Sequence, residues 1–214
     1  MRISTAAVPP FMKNGFVVSC ESSSEGIIID PGDEVDALVA EARAAEVTVT
    51  GILLTHAHFD HITGVRRAKA AFDVPVWLHR DDLFLYEAVV EQGLMFGLRV
   101  EEQPAVDSFY EEGVPFRFGE YAVDALHTPG HCPGGVCLAI GRASGIEREL
   151  FVGDTLFAGS IGRTDLPGGD LDLLRHSIRN VLLAFPDSSI VHSGHGPDTT
   201  IGRERQSNPF LAVR

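Results

Sequence analysis

Basic residues are scarce. Seventeen Lys and Arg stand against thirty Asp and Glu in 214 residues, a formal net charge of −13. A surface so short of cations suits neither nucleic acid nor an anionic membrane, both of which are gripped by basic patches. Cysteine is scarcer still, at three (Cys20, Cys132 and Cys137). That is no paired disulfide framework, so a reducing compartment is expected, with the cytoplasm as its default. No apolar run approaches the length of a membrane span. The N-terminus, Met1 to Phe11, has one arginine, a short apolar stretch and two prolines, and reads as neither signal peptide nor anchor. Internal repeats, low-complexity tracts and linkers are lacking too. What is left, 44% hydrophobic and 22% charged, is an ordinary globular composition, long enough to bury a substantial core.

Against this plain background one stretch stands out: Thr55-His56-Ala57-His58-Phe59-Asp60-His61. It follows the apolar run Gly51-Ile52-Leu53-Leu54, which reads as a buried strand emptying into a loop. On an extended strand end His56 and His58, two apart, point the same way. The period then turns helical through Val65, Ala68, Lys69 and Phe72, which places Asp60 and His61 at a helix N-terminus. Imidazole and carboxylate donors suit zinc, iron or manganese. The lack of cysteine in the stretch argues against a closed structural zinc site.

The remaining elements follow from period and punctuation. Strands are expected over Ile3 to Val8, Gly15 to Cys20, Gly26 to Asp30, Val49 to Leu54 and Val74 to His79. A second set covers Val114 to Phe118, Tyr121 to His127, Gly135 to Ile140, Glu149 to Val152 and Ser189 to His192. Helices are expected over Asp33 to Ala45, Ile62 to Phe72 and Asp81 to Gln92. A long helix follows Asp170 as N-cap, with Leu171, Leu174, Ile178, Val181 and Leu182 toward the core and Pro186 as its stop. Gly93 to Asp107 shows no clean period and reads as an irregular or lid-like connection. The pattern supports a mixed α and β domain; strands first and helices later in each half suggest two sheets face to face with helices outside.

Three more polar residues sit just past strand ends, beside glycine: His131 after Thr128-Pro129-Gly130, Asp154 after Phe151-Val152-Gly153, and His195 after Ser193-Gly194. Such positions converge on one sheet edge, and glycine lets the backbone approach a metal or substrate closely. With the opening stretch they make five histidines and two aspartates, an inventory for two metal ions sharing a carboxylate.

The order H-x-H-x-D-H, then a distant His, Asp and His, resembles the metallo-β-lactamase superfamily, over nearly the whole chain from Asn14-Gly15 through Ile29-Asp30-Pro31-Gly32 to Ser193-Gly194-His195-Gly196. The resemblance implies an αββα sandwich of two mixed sheets with helices outside. It implies His56, His58 and His131 as ligands of one metal, Asp60, His61 and His195 as ligands of a second, and Asp154 as the bridge. Two divalent ions, zinc above all with iron or manganese as alternatives, are the implied cofactors. His61, and Asp154 where many β-lactamases carry a cysteine, disfavour antibiotic hydrolysis. His58 in place of glutamate argues against the flavodiiron oxygen reductases. The runs from Gly153 to Arg163 and from His195 to Glu204, with Asn208-Pro209-Phe210 after them, resemble glyoxalase II, the hydroxyacylglutathione hydrolase. That family usually continues into a helical glutathione-binding domain. This chain, expected as a single domain over 1–214, resembles the short bacterial branch without it.

The resemblance therefore implies a thioester hydrolase acting on S-lactoylglutathione-like substrates by attack of a metal-bridging hydroxide, with Asp60 and Asp154 catalytic. Arg163 is either a contact for the glutathione moiety or a surface arginine. Asp30 is either an acceptor for a ligand histidine's N–H beneath the site or a turn former. His127 and His192 are expected to be packed rather than ligating, His79 and His176 structural, Cys132 a quiet buried thiol, and Phe59 a shield for the metals. The competing reading is a persulfide dioxygenase with one iron held by His56, His131 and Asp154; Asp60-His61-Ile62-Thr63-Gly64 and Gly162-Arg163-Thr164-Asp165 resemble that branch as well. No nucleic acid or membrane partner is expected, and the oligomeric state is open.

Overall fold

A computed structural model describes residues 1–211; the last three residues of the expected domain lie outside the described residues. The chain divides into two compact units, Met1–Tyr110 with Arg117–Glu120, and Glu111–Phe116 with Tyr121–Arg214. In the first the elements are β1 (Arg2–Ala6), β2 (Gly15–Ser19), β3 (Glu25–Ile29), α1 (Val35–Ala44), β4 (Thr48–Leu53), α2 (Phe59–Ile62), α3 (Val65–Phe72), β5 (Val76–Leu78), a 3-10 turn at Arg80–Asp82, α4 (Leu83–Glu87), α5 (Val89–Met95) and β6 (Ser108–Phe109). From Phe116 onward come β7 (Phe116–Phe118), β8 (Tyr121–His127), β9 (Val136–Arg142), β10 (Glu149–Gly153), β11 (Leu156–Phe157), β12 (Ser160–Ile161), α6 (Leu171–Asn180), a 3-10 turn at Leu182–Ala184, β13 (Ile190–Ser193), β14 (Thr199–Thr200) and α7 (Ile201–Ser207).

The first sheet runs β1 to β6 in chain order, antiparallel up to β3 and parallel beyond it. Its inner parallel strands are continuous apolar runs, Ile27-Ile28-Ile29 and Ile52-Leu53, all fully buried, as strands covered on both faces require. Ile29 lies opposite Leu53, so the residues that follow both strands leave the sheet side by side. That register brings Asp30 beside the histidine stretch. The second sheet has the order β14-β13-β10-β9-β8-β7. Here β10 and β13 are parallel, Gly153 opposite Ser193, and the Gly194 N–H donates to the Gly153 carbonyl at 2.8 Å. Asp154 and His195 therefore emerge together. Leu150, Val152, Leu174, Ile178, Leu182 and Val191 form the core beneath. Both sheets are mixed and carry helices, as expected.

Several boundaries differ from expectation. The helix expected over Ile62 to Phe72 is two pieces, because the Gly64 N–H turns away to the Pro31 carbonyl at 2.9 Å. The one expected over Asp81 to Gln92 is a 3-10 turn and two short helices that run on to Met95. Asp170 does cap α6, its side chain accepting from the Leu173 N–H at 2.9 Å. Leu171, however, is 41% exposed rather than core-facing, since it sits in the first turn beside the cap. α6 also stops at Asn180, well before Pro186. The hairpin β11–β12, strand β14 and helix α7 were not expected at all. Their strands are two residues long, too short for a period to register.

Candidate metal centre

In the first unit β4 stops at Leu53 and His58 starts α2 with extended backbone. The His56 and His58 rings meet edge to face with centroids 5.0 Å apart, and His56 lies 4.1 Å from His61. All three rings are buried. Asp60 is more open, its Oδ2 lying 3.9 Å from His61 Nε2.

Asp30 sets the chemistry of this cluster. Its Oδ2 lies 3.0 Å from His61 Nδ1 and also accepts from the Thr55 hydroxyl at 2.5 Å; its Oδ1 accepts from the Thr55 N–H at 2.7 Å. A carboxylate only accepts, so His61 carries its proton on Nδ1 and presents Nε2 as the lone-pair nitrogen. Thr55 spends its proton on Asp30, so the 3.1 Å contact with His56 Nδ1 again puts the proton on Nδ1. Two imidazoles are thus held in the tautomer that offers Nε2 to a metal.

Three residues that no motif singled out hold the loop. Asp82 Oδ2 accepts from the Ala57 N–H at 2.9 Å. Gln92 donates to the Ala57 carbonyl at 3.0 Å and accepts from the Phe59 N–H at 3.2 Å. The Lys13 ammonium is buried between the Asp30 carbonyl and the Glu34 carboxylate. Gly32 completes the support: a Cβ there would meet the Asp60 carbonyl oxygen at 2.0 Å. Phe59, expected to shield the site, is buried edge-on to Phe11 and tilted against Phe96. Asp82→Ala is expected to weaken binding of a divalent ion by about 10- to 100-fold, as loss of an outer partner commonly does. Competition with a chromophoric chelator reads it, and an unchanged affinity would show that the loop holds without Asp82.

In the second unit Asp154 is the meeting point. Its Oδ2 lies 3.7 Å from His131 Nε2 and 3.7 Å from His195 Nε2. Donors each roughly 2.0–2.2 Å from a common ion lie about 3–4 Å apart, so each imidazole is spaced to share a divalent cation with Asp154. His131 Nδ1 lies 2.7 Å from the Arg163 carbonyl, an obligate acceptor, so its Nε2 is the lone-pair nitrogen as well. Gly162 matches Gly32: a Cβ there would meet the Asp154 carbonyl oxygen at 1.9 Å. His195 is the most open of the ligand candidates, its side chain 31% exposed, with Phe157 edge-on at 6.2 Å.

The Arg163 guanidinium is half exposed and taken up by a neighbouring carboxylate. It makes two 2.7 Å bonds to the Asp165 carboxylate, which hold Asp165 down to about 2. His192 stacks on Phe151 with centroids 4.6 Å apart. Its nitrogens lie 3.0 Å from Glu149 and 3.0 Å from Asp198, tying the turn after His195 to β10. His127 Nε2 lies 2.8 Å from the Pro133 carbonyl, and His79 accepts from the Asp81 N–H at 3.3 Å. Cys132 is buried, and His176 lies on α6. The donor set in each unit fits a hard-to-borderline divalent ion.

The chain matches the model of the metallo-β-lactamase superfamily over residues 8–195. It is 37% identical to the hydroxyacylglutathione hydrolase GloC of Haemophilus influenzae, across 99% of this chain and 98% of that one. Among solved structures it is similar to the B3 metallo-β-lactamase BLEG-1 (36% identity, TM-score 0.88, 99% and 100% of the two chains). It is also similar to TTHA1623 in a di-iron-bound form (39% identity, TM-score 0.85, 97% and 100%). The order of the donors, the two mixed sheets that deliver them and these full-length likenesses agree: the chain belongs to the metallo-β-lactamase superfamily, and its fold is that of the metal-dependent hydrolases gathered there.

Proposed function

We propose that the protein is a dinuclear metal-dependent hydrolase of hydroxyacyl thioesters of the S-lactoylglutathione kind. The observation that carries the substrate class is the full-length likeness to a hydroxyacylglutathione hydrolase. In this reading His56, His58 and His131 hold one ion, Asp60, His61 and His195 the second, and Asp154 is shared. Zinc is the proposed metal, with iron or manganese as alternatives that the di-iron relative keeps in view. When bound, such ions polarise the acyl carbonyl and bring the pKa of water near neutrality.

The chain's own residues divide the rest of the work. Asp30 and the Arg163 carbonyl keep the imidazole protons on Nδ1, so that Nε2 serves as donor. Asp60 and Asp154, 13% and 14% exposed, are the carboxylates beside which water is placed and its proton held. Water adds to the acyl carbon, the C–S bond breaks, and the products are a carboxylic acid and a thiol. No protein acid is needed for the departing sulfur, because a thiolate leaves without prior protonation. Arg163 exchanges Asp165 for a carboxylate of the thiol moiety. The three cysteines, each outside any disulfide among the described residues, suit a reducing cytoplasm, and no helix among the described residues is long and apolar enough to cross a membrane. We place no nucleic acid or membrane among its partners.

Zinc-loaded protein is expected to hydrolyse S-lactoylglutathione, followed by release of free thiol. Two rival outcomes are informative. Hydrolysis of a chromogenic cephalosporin instead would favour the activity named for BLEG-1. Oxygen uptake with glutathione persulfide by iron-loaded protein, without thioester turnover, would favour the dioxygenase reading.

A further inference from the structure

The hairpin β11–β12, Leu156 to Ile161, lies one residue in from Asp154 and one from Arg163. Each end of the interval from Asp154 to Arg163 touches a ligand candidate: Asp154 itself at one end, and at the other the Arg163 carbonyl on His131 Nδ1. In between, Phe157 lies edge-on to His195. The hairpin is two residues per strand, far too short to hold its own shape in water. Something outside it must fix it.

Its strands are held by Leu156 and Ile161 in the core and by the Ser193 hydroxyl, which donates to the Leu156 carbonyl at 2.8 Å; its tip is held by a buried carboxylate on α7. Glu204 has no exposed surface. Its Oε2 accepts from the Gly159 N–H at the hairpin tip (2.8 Å) and from the Asn208 amide (2.8 Å), and its Oε1 accepts from the Thr199 hydroxyl at 2.6 Å. The Asn208 amide also donates to the Ser160 carbonyl at 3.0 Å. A buried charge is costly unless fully hydrogen-bonded. Here three donors converge on one acceptor-only group, two of them bound to the hairpin or to its other anchor. Glu204 touches no ligand candidate through any of these bonds; its reach to the site runs through the hairpin.

We propose that Glu204, with Asn208, is a positioning residue for the metal centre. It pins the β11–β12 tip so that the Arg163 carbonyl fixes the His131 tautomer and Phe157 fixes the His195 ring. The inference rests on the metal-centre reading above.

The test is Glu204→Met in the full chain, with hydrogen exchange at the Gly159 amide and cobalt(II) affinity read side by side. Methionine keeps the stem's length and removes both acceptor oxygens, so the Gly159 N–H loses its partner and its exchange is expected to accelerate at least about tenfold. Cobalt affinity is expected to fall about 10- to 100-fold, with a changed visible spectrum. If Glu204→Met fails to fold, Asn208→Ala removes one partner of the carboxylate and the Ser160 contact, and carries the same two readouts. Faster exchange at unchanged cobalt affinity and spectrum would reduce Glu204 to a structural anchor and overturn the proposal. So would unchanged exchange. Wild-type protein that takes up no cobalt would sink the metal-centre reading itself, a result visible before any variant is made.

Discussion

Asp154→Ala is expected to lose more than about 100-fold in thioester turnover, beyond the range that outer partners of a metal site reach. The reason is local. Asp154 Oδ2 lies 3.7 Å from both the His131 and the His195 Nε2 atoms. Removing it leaves two imidazoles with no shared anion to balance a second cation. Metal content should fall toward one equivalent, and the residual turnover should not recover at saturating substrate, because the loss lies in kcat rather than KM. Elemental analysis and steady-state kinetics read the two effects. An alanine variant that keeps two equivalents and full turnover would end the shared-carboxylate reading. Fold stability should change little by comparison, as a 14%-exposed carboxylate outside the core clusters carries little packing.

The largest stability loss is expected elsewhere, at Lys13→Met. The Lys13 ammonium and the Glu34 carboxylate are both buried and paired, and Glu34 Oε1 also accepts from the Gly32 N–H at 2.9 Å. Methionine keeps the stem's bulk and removes the charge, leaving Glu34 ionised and uncompensated in the interior. Breaking such a pair typically costs about 3–5 kcal/mol. Urea denaturation should show a lower midpoint at an unchanged slope. The double variant Lys13→Met with Glu34→Gln should recover part of the loss, because the stranded charge is gone. A single-variant loss below about 1 kcal/mol, the range of exposed pairs, would mean the pair is solvated in solution.

The sequence made the donors legible because chemistry is concentrated there. Four of them fall within six residues after an apolar strand, and the other three each follow a strand end beside glycine. The strands were equally plain where burial imposes a continuous apolar run, as at Ile27 to Ile29. What stayed hidden was support supplied by single residues. Asp82, beside Asp81 at a helix start, looks like an ordinary cap; only the fold brings its carboxylate to the Ala57 N–H. Gln92 and Lys13 belong to no spacing pattern, and their partners lie far off in the chain. Arg163 shows the converse. Its residue type suggested a side-chain contact, whereas the atom that meets His131 is its carbonyl, which any residue possesses. The broken helix at Gly64 was missed because apolar period does not report a backbone N–H that bonds outside the helix.

Gly32 and Gly162 share a geometry that bears on how this centre can change. In each case the carbonyl oxygen of a carboxylate ligand candidate, Asp60 or Asp154, occupies the space where a side chain would begin. The height of each aspartate above its sheet is therefore gauged by main chain resting on main chain. Substitution deeper in either sheet can swap one hydrocarbon for another without resetting that gauge, while even a methyl at these two glycines would lift a carboxylate off its mark. An apolar exchange in the interior thus leaves the gauge where it is, whereas the two glycines under the candidate ligands have no room for a side chain. A library that randomises the surrounding loops to seek new substrates should hold Gly32 and Gly162 fixed.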